Sequence, residues 1–439
     1  MSSESIYEIL LEEEFLPLVQ NSVESFYRML NFIGAGSVNL SKRYYSDLMN
    51  EAEELETMLD DYAALENRTW AFFRELVASV RNLTIAGFQV KHILVRLNDY
   101  GVSEREQFLN EAEKTLLFIN KSIYDLGQAW LKEGQKNGLV FQVQAVRAKK
   151  FRELTAKRHL PKTMNSSGAY RENRERILEF TRKYRKVYKI FKEQNLAEKK
   201  DREALKQVVP TKIDEKKAQK LKNMIHNVQS DYDTYIKNTD IENTKPILKA
   251  FRGYISIPLH LLEATRWLSH FYERHGDEIK NSECNIKISS IVEKLDVLDR
   301  LNNFTLYYSG WCLQKGNKLA EEILSSYVEN VQYELPVPTP LGFHARPTTY
   351  ISMIVNEHGT DVSLIVEEER FNAKSILNLM EAGGMIADLG LKKVVFEGDK
   401  RVLDDLKILA ESNYCEDADI PRELNYLRII RNIKNPSEI

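Results

Sequence analysis

The period of the hydrophobic pattern changes once along this chain, near residue 330, and that change constrains the fold more than any other feature. Before it, apolar residues recur at the three-to-four spacing of amphipathic helices; after it, short runs alternate apolar and polar as half-buried strands do. Five of the eleven prolines and twelve of the eighteen glycines fall in the first 330 residues, at wide intervals that allow long helices between them. Helices are expected over residues 18–33, 41–65, 67–97, 103–136, 171–192, 213–237, 245–275 and 288–327, with a short one ended by Pro210. Ser103 with Glu106 reads as a capping box. Trp70, Phe72, Phe73, Leu76 and Val80 are candidates for an inward face, and Phe304, Tyr307, Tyr308 and Trp311 for a packed aromatic cluster. The pair Gly34 and Gly36 has no preceding strand and no following Gly-Lys-Ser/Thr, so it reads as a helix–helix turn rather than a nucleotide loop.

Beyond residue 330 the expected elements are a strand at 333–337, a helix following His344, and strands at Val362–Val366, 371–373 and 392–396. A short helix is expected at 375–380 and a last one at 401–412. Together they describe a multidomain chain: a large all-α region over 1–330, with a mobile basic loop near 160–170, then an α+β domain over 331–414. That domain is an open-faced sandwich, with helices on one face of a four-stranded antiparallel sheet. Residues 415–439 form a tail in which Pro421 opens a helix, with Leu424, Leu427 and Ile430 on one side, expected to pack back on the helical part.

The chemistry concentrates where the first of these strands hands over to a helix. His344 stands at that junction, and the first turn of a helix offers unpaired N–H groups and the positive end of its dipole. Pro347 fits such a turn, because its missing N–H has no intrahelical partner to lose. Arg346 adds a permanent cation whose planar fork matches phosphate oxygens. A neutral imidazole is a competent nucleophile near pH 7. His344 can therefore accept a phosphoryl group, with Arg346 and the amides of Ala345 and Arg346 stabilising its charge.

The segment Gly342-Phe343-His344-Ala345-Arg346-Pro347 resembles the active-site segment of HPr, the histidine phosphocarrier of the bacterial phosphoenolpyruvate-dependent phosphotransferase system. Lys374-Ser375-Ile376-Leu377-Asn378-Leu379-Met380 resembles that family's regulatory-serine segment, and Ser375 follows His344 by 31 residues. The resemblance covers roughly residues 332–414. It implies attack by the Nδ1 atom of His344, regulatory phosphorylation of Ser375 by a serine kinase, and partner docking through Ile376, Leu377 and Met380. It also implies an Enzyme I-like donor and an EIIA-like acceptor, with no cofactor and no metal. An orienting Asp or Glu for His344 cannot be picked out, and the resemblance implies that this domain does not need one. Two departures stand out: residues 381–390 differ in length from the usual connection, and the tail is additional.

Composition narrows the remainder. The acidic residues 1–14 do not read as a signal peptide, no run of 18 apolar residues occurs, and a cytoplasmic protein without a membrane partner is expected. Cys284, Cys312 and Cys415 are too scattered for a disulfide framework or zinc site. Net charge is −3, but residues 147–222 hold 25 Lys or Arg against 10 Asp or Glu. Residues 1–70 sum to −10 and residues 333–439 to −6. The basic region reads first as a solvated helical surface, then as a contact for the acidic segment or an acidic partner, and last as a nucleic-acid surface. His260 with Glu263 and His270 with Glu273 have helical metal-ligand spacing, but the two pairs lie about 80° apart around a helix. The leading reading is a phosphotransferase-system protein that accepts phosphate on His344 and passes it on or uses it to regulate the helical region. The contrasting reading is an interaction or scaffold protein whose HPr-like domain no longer transfers phosphate.

Overall fold

The computed structural model describes residues 9–34, 40–103, 105–142, 151, 160, 170–274, 282–417 and 419–428. The expected loop at 160–170 and the turn after Gly34 lie almost entirely outside these residues. The chain forms two compact units. One comprises Met1–Ala169 with Lys183–Leu319; the other comprises Tyr170–Arg182 with Ala320–Ile439. Among the described residues no helix is long and apolar enough to cross a membrane.

The first unit contains α1 (Glu12–Phe32), α2 (Lys42–Asp61), α3 (Ala71–Arg96), α4 (Glu106–Lys136) and the later part of α5 (Tyr170–Glu193). It continues through α6 (Arg202–Leu205), α7 (Glu215–Tyr235), α8 (Asp240–Thr244), α9 (Pro246–Arg274), α10 (Ser282–Ile291), α11 (Lys294–Asp299) and most of α12 (Tyr307–Ser326). Its core holds fully buried Tyr44, Tyr45, Phe73, Phe108, Trp130, Tyr184 and Phe251. Two of its buried tyrosine hydroxyls are satisfied by other elements: Tyr45 donates to Asn120 at 2.5 Å, and Tyr184 to the Tyr254 carbonyl at 3.0 Å. Of the proposed inward face, Trp70, Phe73, Leu76 and Val80 are buried, whereas Phe72 is half-buried with the Lys287 ammonium 5.0 Å from its ring centre.

Three local expectations are corrected in this unit. Helix α1 begins at Glu12 rather than at 18 and carries Pro17 inside it. Glu12, Glu13 and Glu14 favour a helix N-terminus, and the Glu14 carboxylate accepts the Leu11 N–H at 2.9 Å. Ser103 does not cap α4, which starts at Glu106; its hydroxyl lies 3.4 Å from that of Tyr254. The single helix expected over 288–327 is α10, α11 and α12, with a break at Glu293 and a π-helical stretch at Arg300–Leu306. The wider turn presents Asn302 to the Glu198 carbonyl and Asn303 to both backbone groups of Lys200.

The second unit carries β1 (Asn330–Pro336), α13 (Ala345–His358), β2 (Val362–Val366), β3 (Glu369–Asn372), α14 (Ile376–Asp388), β4 (Lys393–Asp399) and α15 (Lys400–Glu411). The strands form one antiparallel sheet of order β1-β4-β2-β3. Leu335, Val362, Leu364, Val366, Val394 and Phe396 point to one face, where Ile351, Ile354, Leu379, Ile386, Leu403 and Leu406 of the helices cover them. Period-2 alternation along β2 and β4 thus leaves the opposite face open, as an open-faced sandwich requires.

Two expectations change here. The short helix expected to end at 380 is longer: α14 runs on through Gly383 and Gly384 to Asp388, so most of the connection over 381–390 is helix. A side chain at Gly383 would stand 2.6 Å from the Phe343 carbonyl oxygen, so the glycine permits close approach to the turn that carries His344. The described part of the tail, expected to pack on the helical part, contributes to this unit's own core. Ile420, Leu424 and Leu427 are buried in the core of this unit, and Tyr426 donates to Asp405 at 2.7 Å. A 3₁₀ turn spans Arg422–Leu424, the chain is α-helical at 426–428, and Ile430 lies outside the described residues.

Candidate functional site

The turn before α13 is built to expose one ring. Gly342 takes φ +66°, a left-handed conformation that suits glycine, and its N–H bonds the Pro338 carbonyl at 3.0 Å. The His344 N–H then returns to the Gly342 carbonyl at 2.9 Å, closing a three-residue turn around Phe343. Phe343 is the anchor: it is buried, with ring contacts to Tyr414 at 5.6 Å and Phe396 at 6.3 Å. With Phe343 fixed inward, His344 is left at the rim, its side chain 31% exposed.

His344 is the N-cap of α13. Its Nδ1 accepts the Arg346 backbone N–H at 3.4 Å, and its carbonyl accepts the Thr348 hydroxyl at 2.8 Å. The ring's Nδ1 lone pair therefore faces the amide end of a 14-residue helix, where a developing anion gains most from the dipole. Pro347 is buried in the first turn, and Gly359, at φ 75°, stops the helix. The Arg346 side chain is exposed at the same rim and donates from Nη1 to the Glu416 carbonyl at 3.1 Å.

A carboxylate stands on the other side of the ring. Glu416 Oε1 lies 3.0 Å from His344 Nε2, and Glu416 Oε2 lies 3.9 Å from Arg346 Nη1. No local pattern points to this partner, because it is 72 residues from His344 and lies beyond the segment whose motifs could be read.

Ser375 is the N-cap of α14 and accepts the Asn378 N–H at 3.3 Å. The loop before it is tied to α13, since Ser352 and Asn356 donate to the Lys374 carbonyl at 2.7 and 3.2 Å. His344 and Ser375 thus cap two helices that share one loop contact. Ile376, Leu377 and Met380 are 38%, 78% and 43% exposed, and they form an apolar step on α14.

His92, His260 and His270 have structural partners. His260 bonds Gln89 at 2.7 Å, and its ring centre lies 4.1 Å from that of His92. Burial, with nearby cations, pushes the pKa of His92 down to about 4. Burial, then the charges of His92, Arg252, Arg96 and Lys42, push that of His260 down to about 3. His270 contacts Glu215 at 2.7 Å, and Glu263 accepts the Trp267 ring N–H at 3.0 Å. Among the described residues no group of three potential ligands converges as a metal site would need. Cys284, Cys312 and Cys415 are buried thiols.

The second unit is a four-stranded antiparallel sheet with helices on one face, carrying a helix-capping histidine beside an arginine, as the HPr resemblance leads one to expect. Residues 331–385 match the family model described as PTS HPr component phosphorylation site, and both His344 and Ser375 fall within the match. No curated protein and no solved structure matches the chain.

Proposed function

We propose that the second unit accepts a phosphoryl group on His344 and passes it to another protein. The observation that carries this reading is the Nδ1 atom of His344 held against the first amides of α13, with Arg346 beside it. The Nδ1 lone pair attacks phosphorus, the bond from phosphorus to the donor atom breaks, and its electron pair leaves with the donor. Transfer onward is the same displacement, with the acceptor as nucleophile. The amides of Ala345 and Arg346 and the Arg346 guanidinium stabilise charge that the group brings. A donor of the Enzyme I kind, an acceptor of the EIIA kind and docking through Ile376, Leu377 and Met380 fit this chemistry. So does a serine kinase acting on Ser375, whose phosphate would sit at a helix N-terminus.

A regulatory use of the phosphate has its own support. Helix α13 has His344 at one end and His358 at the other. His358 contacts Asp405 at 2.8 Å and the Arg182 guanidinium at 3.1 Å. Arg182 belongs to α5, whose residues contribute to both units. A 14-residue helix thus runs from the phosphoryl acceptor to a residue of the basic region.

The test is incubation with phosphoenolpyruvate and the general phosphotransferase Enzyme I, followed by mapping of the label. Acid-labile phosphate on His344 is expected. It should vanish in His344→Ala, and in Arg346→Ala it should form more slowly by a factor of about ten or more. Undiminished labelling of His344→Ala would end the proposal. A folded wild-type chain that takes no label would favour the scaffold reading instead.

A further inference from the structure

We infer that Glu416 is a positioning residue for His344: its carboxylate fixes the imidazole tautomer that leaves Nδ1 free to attack. The inference rests on the phosphoryl-acceptor reading and assigns a role to a residue outside the matched segment 331–385. The Glu416 side chain is 8% exposed and turned into the site. Its Oε1 and the His344 Nε2 stand 3.0 Å apart, and among the described residues neither atom makes a hydrogen bond. Two buried polar atoms face each other in contact, aligned short of a full hydrogen bond, a situation that folded proteins seldom keep without a use.

The backbone that delivers Glu416 is a second, independent observation. Asn413, Tyr414 and Cys415 take φ values of 49°, 55° and 59°, three successive non-glycine residues in the left-handed region. Such strain persists where surrounding contacts over-determine it. Here Asn413 accepts the Thr339 N–H at 3.0 Å and donates to the Thr339 carbonyl at 2.7 Å. The Tyr414 hydroxyl donates to the Pro336 carbonyl at 2.8 Å, and its ring packs on Phe343. Arg346 closes the segment by donating to the Glu416 carbonyl. The strained turn is pinned to the same loop that presents His344, so the carboxylate and the ring are set by one framework.

Chemistry fixes the direction. A neutral imidazole has one N–H and one lone pair, and a carboxylate can only accept. The ring that suits both neighbours has its proton on Nε2, toward Glu416, and its lone pair on Nδ1, toward the Arg346 amide. When Nδ1 attacks phosphorus the ring becomes cationic and keeps the Nε2 proton, and Glu416 balances that charge. No proton has to leave the ring during transfer.

The experiment uses the full chain with ¹⁵N-labelled histidine. In the unphosphorylated protein the His344 nitrogens should report the Nε2–H tautomer. In Glu416→Ala they should report a mixture, and transfer at saturating donor should slow about tenfold or more, with the donor KM unchanged. Glu416→Gln keeps the shape without the charge and should also be slow, whereas Glu416→Asp should recover part of the rate. If Glu416→Ala fails to fold, the Gln and Asp pair carries the test. An unchanged tautomer and rate in a folded Glu416→Ala or Glu416→Gln would overturn the inference while leaving His344 as acceptor. A wild-type chain that takes no phosphate would overturn the functional reading, and the tautomer measurement would still report on Glu416.

Discussion

His92, His260 and His270 of the helical unit and His344 of the sheet unit are held in opposite ways. In the first, His92 and His260 are packed ring to ring, and His270 is matched to Glu215. In the second, His344 is held at a rim, with one nitrogen on a helix amide and the other facing a carboxylate. In the helical unit these rings serve packing and ion pairing. The sheet unit leaves a nucleophilic lone pair at a place where incoming negative charge is favoured. A histidine becomes a candidate for chemistry through what its ring nitrogens are left to do, more than through its residue type.

Acid should separate the two units most strongly. Burial holds His92 near 4 and His260 near 3, below the ordinary value of 6.5. Between those limits the unfolded chain binds more protons than the folded one, so this stability is present above pH 6.5 and is lost as the pH falls toward the folded values. For His260 the loss by pH 4.5 is on the order of 2–3 kcal/mol, with less from the half-exposed His92. All four tryptophans, Trp70, Trp130, Trp267 and Trp311, lie in the helical unit, so tryptophan fluorescence during thermal unfolding reports on that unit. Its Tm should fall between pH 7 and 4.5, and fall less in His260→Asn. Identical acid profiles for the two proteins would remove the buried pair as the cause.

The next contrast is smaller and lies within the sheet unit. Ser375→Ala removes the cap of α14 and should cost about 1 kcal/mol, read as faster amide exchange in that helix. Ser375→Asp keeps a good cap and adds a charge beside the apolar step, so α14 should stay protected while transfer to His344 slows. Equal transfer rates for wild type and Ser375→Asp would leave Ser375 as a cap without a regulatory role.

The smallest expected effect would break the comparison itself. If phosphate on His344 is felt through α13 and His358 at Arg182, amide exchange over residues 183–193 should change by a factor of about two to five at low salt. Arg182→Ala should abolish the difference. Equal protection with and without phosphate, at low salt, would mean that the two units act independently.

Much of the sheet unit is legible locally. The alternation of Val362, Leu364 and Val366, and the His-Ala-Arg-Pro run that opens a helix, are decided by residues a few positions apart. The structure therefore agrees with them to within a few residues. Where local signals mislead, a distant contact has outvoted them. The helix expected to end at 380 continues to Asp388, and Gly383 within it lets α14 approach the Phe343 carbonyl. Ser103 and Glu106 have the spacing of a capping box, but Tyr254, 151 residues on, takes the serine as its neighbour.

What the sequence by itself determined is the change of period near residue 330, the placement of His344 and Ser375 at helix starts, and the cation at Arg346, because each depends on neighbours within about one turn of helix. Tertiary structure decided what surrounds them. It buried Leu424 and Leu427 in the sheet unit's own core, set Arg182 against His358, and brought Glu416 to the ring of His344. Periodicity and capping are short-range and leave their mark in a window of a few residues. A carboxylate's approach to an imidazole depends on where the intervening sheet and helices close, and no local pattern records that distance.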